Sequence, residues 1–477
     1  MRVGTDANFW DFEFSEINLG DERLNERLLK TIKHMANQPS ASINQSCGDW
    51  ATAKGAYRFF DNKKVRFEDI LEAHGKSCFK RLLPNSTVLI IQDTSFLNYT
   101  EHFKTKGLGQ IGYIKNKKKK GTQASGLIVH TALGLTPEGV PVGIFDQKIW
   151  IRDPKLPGTR RIKNRKRILV ENKESNKWLS GLDSSLERVP DGVMAVTVCD
   201  RESDLFEFIA HAEALKTKYL IRSSWNRSIK NAAGNEESLW DHMKAMPVSG
   251  CFEIDVQGPR VAKQKIMPDR RAKMEVRYSS VELRRPPKKK VNRAECLAYL
   301  PAFVVWVYEV DAPKDVEPLN WMLLTNLEVS SFDQAHEKVL WYRLRWHIES
   351  FHKVLKSGCS VEACRLESAE KLKKFVVVTS LIAWRLYWLT HMHRTDPEAS
   401  CDKVLEEHEW KALYTITKKT NTLPVDKPSA REVTRWIAML GGFLARKGDK
   451  EPGIITIWRG WQRLTVLAEQ WKILHPT

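Results

Sequence analysis

Three short apolar runs constrain this chain most. The segments "STVLIIQD" (86–93), "GVMAVTVCD" (192–200) and "KYLIRSSW" (218–225) are apolar at consecutive rather than alternate positions. Strands of that kind are buried on both faces, so helices must cover the sheet above and below. An α/β fold follows. Two of the runs end in an acid, Asp93 and Asp200, 107 residues apart, and the edge of such a sheet is where α/β folds commonly place ligands. Adjacent carboxylates repel one another in a dry site. A divalent cation offsets that repulsion, and Mg²⁺, which keeps several waters, needs only two or three carboxylates beside a substrate phosphate. An aspartate that merely caps each strand–loop junction is the other reading, and at this point both stand.

Around these runs the pattern changes twice. Residues 1–70 read as helical: Asp21 can cap a helix whose Leu24, Leu28, Ile32 and Met35 form an apolar stripe, while Arg23, Arg27, Lys30 and His34 form a basic one. A second helix carries "DWATAKGAYRFFDN". The segments "GLIVHTALGL" and "VPVGIFDQKIWI", joined by "TPEG", predict a hairpin of long strands. Further β-rich segments between Val248 and Asn326 predict a β-insertion at about 245–327. From about 365 onward the chain is mainly helical, with "GGF" at 441–443 as a break and Trp458, Trp461, Leu464, Leu467 and Trp471 at helical spacing.

The formal net charge is +19, from 77 Lys and Arg against 58 Asp and Glu. Such an excess favours polyanionic partners, nucleic acid first, with an attraction that weakens as salt rises. Four basic tracts, at 115–120, 160–167, 269–271 and 284–293, punctuate the β-rich middle and are expected in loops. No secretory signal is visible, and the longest apolar run, "FVVVTSLIAW" (375–384), is too short to span a bilayer. It is expected to be a buried helix. The eight cysteines show no disulfide spacing; Cys359 and Cys364 lie near His352 without a second ligand pair, so reduced thiols in the cytoplasm are expected.

The third acid comes from "WYRLRWHIESFHKVLKSG" (341–358). On one regular helix Tyr342, Arg345, Glu349 and Lys356 fall within about 60° of arc. Trp341, Leu344, Ile348, Phe351 and Leu355 form a separate apolar face for the sheet. Glu349 then lies on a polar stripe flanked by cations, an arrangement suited to a metal ligand among phosphate clamps.

The spacing Y-x2-R-x3-E-x6-K resembles the signature of bacterial cut-and-paste DDE transposases of the insertion-sequence-four type. "GDERLNERL", "GAYRFFDN", "QDTSFLNY", "CDRESD", "IRSS", "PLNWMLLT" and "LGGF" follow in that family's order, so the resemblance covers nearly the whole chain. It implies a ribonuclease-H-like core, a mixed sheet flanked by helices, at 71–370 with the β-insertion inside it. An end-recognition domain at 1–70 and a helical dimerisation domain at 371–477 complete it. Asp93, Asp200 and Glu349 would be the catalytic, metal-holding triad for two Mg²⁺ ions, with Mn²⁺ as a substitute. Tyr342, Arg345 and Lys356 would position phosphates. Arg23, Arg27, Lys30, Arg58, Arg201, Arg222, His352, Lys353 and Arg365 would contact DNA, and Trp321 would stack on a flipped base. The partners implied are double-stranded DNA (the inverted repeats at the element's ends, and target DNA) and a second copy of the chain in a synaptic homodimer. The expected setting is the bacterial cytoplasm, at the nucleoid. Ser350 departs from the family pattern, which has a second acid there. Two alternatives keep part of the pattern: a DNA-binding repressor that has lost catalysis, and a ribonuclease-H-like metal-dependent nuclease without strand transfer. The intact acids argue against the first, the N-terminal unit and Trp321 against the second.

Overall fold

The computed structural model describes residues 9–116, 119–152, 171, 173–256, 269–286, 297–314, 316–449 and 451–475; for 114–116, 119–122 and 392–395 only the backbone is described. The basic tract at 160–167 lies outside them, as do residues 117–118 and 287–293 of two others.

The N-terminal helices are α1 (Phe9–Glu13), α2 (Glu22–Asn37), α3 (Ile43–Cys47), α4 (Trp50–Asp61) and α5 (Phe67–Arg81). Asp21 caps α2 by accepting from the Arg23 amide, and Leu28, Ile32 and Met35 are buried beneath it. The expected boundary near residue 70 falls inside α5, which packs on the sheet.

The sheet's strands are β1 (Thr87–Asn98), β2 (Gly109–Asn116), β3 (Lys119–Leu135), β4 (Pro141–Trp150), β5 (Met194–Cys199) and β6 (Lys218–Arg222). They continue as β7 (Ser228–Lys230), β8 (Glu236–Ser238), β9 (Gly250–Val256), β10 (Arg270–Arg284), β11 (Tyr299–Val310) and β12 (Asn320–Thr325). The long β3 pairs antiparallel with β1 on one side and β4 on the other, while β1, β5 and β6 run parallel. Helices α6 (Asn176–Leu186) and α7 (Phe206–Ala214) make the crossovers, and α8 (Leu239–Ala245) follows β8. Leu89 and Ile91 of β1 enter the largest core cluster, whereas Val88 and Ile90 enter a smaller one on the other face. That is the two-sided burial the apolar runs require.

Two expectations change here. β1 does not end at Asp93 but continues to Asn98. The strands of the β-rich insertion extend the central sheet, β12 pairing with β6. Arg270 and Arg271 open β10 rather than sitting in a loop.

The C-terminal half holds α9 (Phe332–Arg343), α10 (Trp346–Lys353), α11 (Ala369–Thr395), α12 (Glu407–Lys418), α13 (Ala430–Leu440) and α14 (Ile454–Leu474). The run 375–384 lies in α11, with Val376, Val377 and Val378 fully buried. Among the described residues no helix is long and apolar enough to cross a membrane. At the crossing of α13 and α14, a Cβ on Gly460 would overlap the Ile437 carbonyl and one on Gly441 the Thr456 carbonyl. Gly460→Ala is therefore expected to wedge these helices apart and lower stability by about 1–3 kcal/mol in urea unfolding. An unchanged midpoint would mean the helices can slide to accept a methyl group.

Candidate active site

Strand register brings the two aspartates together. Thr87 lies opposite Met194 and Ile91 opposite Val198. Carried two residues on, that register sets Asp93 opposite Asp200, the residue after β5. Parallel neighbours are about 4.8 Å apart and directly opposed residues share a face. Asp93 accepts from the Thr94 amide (2.7 Å), and Asp200 caps a short turn by accepting from the Glu202 amide (2.9 Å). Burial pushes the Asp93 carboxyl up to about 6, the nearby Asp200 and Glu349 adding to the rise while the Thr94 amide and Arg345 oppose it. Burial likewise raises Asp200. Both carboxylates thus sit where negative charge is costly without a cation.

Glu349 arrives on α10, which packs on β1 through buried Ile348 and Phe351. Its Oε1 accepts from Arg345 Nη2 at 2.6 Å. Tyr342 is buried, its ring 6.0 Å from that of Trp321, which is half-buried. Arg222 donates to the Asn320 carbonyl at 2.7 Å. Lys356 donates to the Phe96 carbonyl at 2.8 Å, three residues beyond Asp93 on β1. All four signature residues therefore lie around one end of β1, β5 and β6.

They do not share one regular helix. The Leu344 and Arg345 amides donate to the Trp341 and Tyr342 carbonyls at 3.1 and 3.0 Å, a tightened turn between α9 and α10. After Lys353 a π-turn, Val354–Gly358, closes with the Cys359 amide on the Val354 carbonyl at 2.8 Å. Neither interruption has a proline or an internal glycine to announce it. The single 60° stripe is thus replaced by three short segments.

His352 also departs from expectation. It is buried, with Nε2 3.4 Å from the hydroxyl of Thr131, the β3 partner of Asp93. Burial pushes its pKa down to about 3, so it is neutral. Its ring faces β3 rather than solvent. Arg201, Lys353 and Arg365 are exposed, as are Arg23, Arg27, Lys30 and Arg58 on α2 and α4; the Arg27 guanidinium lies over Gly55.

Asp204, the last residue of "CDRESD", was not singled out above. It is fully buried, accepts from the Ser224 (2.7 Å) and Trp225 (3.2 Å) amides, and pairs with Arg227. The second aspartate of that motif was the available signal.

The acids are not drawn together as a ligand set: among the described residues no three His, Cys, Asp or Glu side chains form a group that could hold a metal, Cys359 and Cys364 included. Glu349 is turned to Arg345 instead. The chemistry of the donors still fits a hard divalent cation, because Asp93 and Asp200 are oxygen donors on neighbouring strands in a site that penalises their charge.

Carboxylates at the edge of a mixed, helix-covered sheet, beside a line of cations, define a class of phosphoryl-transfer enzyme, and comparison with known families agrees. Residues 6–65 match the family described as transposase DNA-binding, 179–386 the transposase DDE domain, and 381–474 the transposase Tn5 dimerisation domain. The chain belongs to the Tn5-like DDE transposases. Its core is ribonuclease-H-like, and the enzyme is one that depends on a divalent metal, binds DNA and dimerises. The DDE match includes Asp200 and Glu349 but begins after β1, so Asp93 stands on strand register and burial.

Proposed function

We propose that this chain excises a DNA element by cut-and-paste transposition, cutting at the element's two ends through hairpin intermediates and joining the free 3′ ends to target DNA. The observation that carries this reading is the register that opposes Asp93 and Asp200 beneath the helix bearing Glu349. These three carboxylates would hold two Mg²⁺ ions, which when bound supply Lewis-acid activation of the attacking and leaving oxygens of an in-line displacement. Glu349 must leave Arg345 to join the other acids, which frees that guanidinium for a phosphate. Lys356, already bound to the β1 backbone, would fix a second phosphate beside Asp93. Tyr342, Arg201, Arg222, Lys353 and Arg365 would line the DNA path, Trp321 would take a flipped base, and Arg23, Arg27, Lys30 and Arg58 would read the end from the N-terminal helices. Two copies would pair on two ends as a synaptic complex.

The test is supercoiled DNA bearing both ends, incubated with Mg²⁺. The expected product is excised donor with hairpin ends, and Glu349→Gln should bind the ends and leave them uncut. Binding without cleavage by the wild-type protein would instead support a repressor, and cleavage indifferent to end sequence would support a nuclease. Cutting by Glu349→Gln at the wild-type rate would remove Glu349 from the ligand set.

A further inference from the structure

Among the tryptophans near the active edge of the sheet, Trp225 lies on the connection that leaves β6. Trp225 is 64% exposed, an expensive way to place a large apolar ring. Its loop follows β6, whose parallel register with β5 sets Arg222 opposite Asp200. The loop is firmly held. The buried Asp204 carboxylate takes the Ser224 and Trp225 amides and the Ser223 and Ser224 hydroxyls, and Arg227 donates to the Asp204 carbonyl at 3.0 Å. The single Ser224 hydroxyl proton is shared between that carboxylate and the Arg201 carbonyl at 3.2 Å, stitching the loop to the turn that Asp200 begins. On the other side the Ser223 amide donates to the Met322 carbonyl at 2.7 Å, next to Trp321.

We propose that Trp225 is a base-stacking, positioning residue of the transposition reaction, taking a nucleobase beside the scissile phosphate. The inference rests on the transposase reading above. Trp321, which the family resemblance assigns to a flipped base, is half-buried and has the Tyr342 ring as a tilted neighbour at 6.0 Å. Trp225 offers an open ring on the adjoining strand connection, flanked by the exposed Arg201 and by Arg222. Aromatic stacking beside cations is how proteins hold unpaired nucleotides irrespective of sequence. A loop whose backbone is already fixed loses little conformational freedom on binding, so the Asp204 bond to the Trp225 amide holds in place the backbone from which the exposed ring projects.

The test uses the full-length protein and a duplex ending in the terminal inverted repeat that flanks the gene. 2-Aminopurine is placed in turn at the nucleotides on either side of the scissile bond. Wild-type protein is expected to quench one position. Trp225→Ala should lose that quench and cut roughly 5- to 100-fold more slowly, the range expected for one lost base stack. Trp225→Phe should restore both in part, which a purely structural role at an exposed site would not produce. If the wild-type protein binds the duplex but Trp225→Ala leaves quench and rate unchanged, this inference falls and the transposase reading stands. If the wild-type protein does not bind the duplex, both fall.

Discussion

Asp93→Asn is expected to lower DNA cleavage by at least about 10²–10³-fold, the loss typical when one electrostatic element of an active site is removed, while making the metal-free protein harder to unfold. The two effects share a cause. Asp93 keeps its bond from the Thr94 amide whether the side chain is a carboxylate or an amide. What changes is the charge, which burial opposes and which Asp200 and Glu349 repel. With the folded value raised to about 6 from 3.8, the folded chain binds that proton more tightly than the unfolded one. The contribution of Asp93 to stability is therefore most favourable below pH 3.8, declines as pH rises through 6, and stays reduced above it. At pH 7.5 the deficit is at most about 3 kcal/mol, at ~1.4 kcal/mol per pH unit. Urea unfolding of the two proteins should diverge at pH 7.5 and converge toward pH 4. Mn²⁺ should raise the melting temperature of the wild-type chain more than that of the variant. Equal stability at pH 7.5 would show that solvent already screens the Asp93 charge.

Glu13→Ala is expected to cost about 3–5 kcal/mol, the penalty for leaving a buried ion without its partner. Glu13 on α1 is fully buried, its carboxylate shared between the Arg81 guanidinium and His74 Nδ1 on α5. The Ile144 amide of β4 donates to His74 Nε2 at 2.8 Å, so the ring is neutral with its proton on Nδ1 facing Glu13. Burial, with the nearby Arg188, pushes the His74 pKa down to about 3, in keeping with that tautomer. Arg81 also donates to the Val142 carbonyl at 3.1 Å, and Trp384 of α11 stacks on it at 4.6 Å. Removing Glu13 strands the guanidinium among four elements. Thermal and urea unfolding would measure the loss, and Glu13→Ala/Arg81→Met should recover part of it, because the orphaned charge leaves with its partner. A double variant no better than the single one would put the cost in packing instead.

Much of the site is legible in the chain because its parts are local. Asp93 and Asp200 sit on apolar runs that declare buried strands, and Glu349 sits at fixed offsets from Tyr342, Arg345 and Lys356 along one segment. His352 shows the limit of that logic. Its place among basic neighbours suggests a DNA contact, but α10 turns it inward onto Thr131, a residue 221 positions away. The breaks at Leu344–Arg345 and Val354–Gly358 are equally invisible, since no proline or internal glycine marks them and packing onto β1 decides them.

Residue order alone determines the buried strands, the capped N-terminal helix, the basic excess and the family signature, because each depends on periodicity or spacing within a short stretch. The opposition of Asp93 to Asp200 depends on which strands pair and in what register. The joining of β12 to β6 is likewise a long-range pairing. The burial of the Glu13 cluster and the anchoring of Trp225 by Asp204 belong to the tertiary structure too, since their partners meet only once distant segments close on a common core.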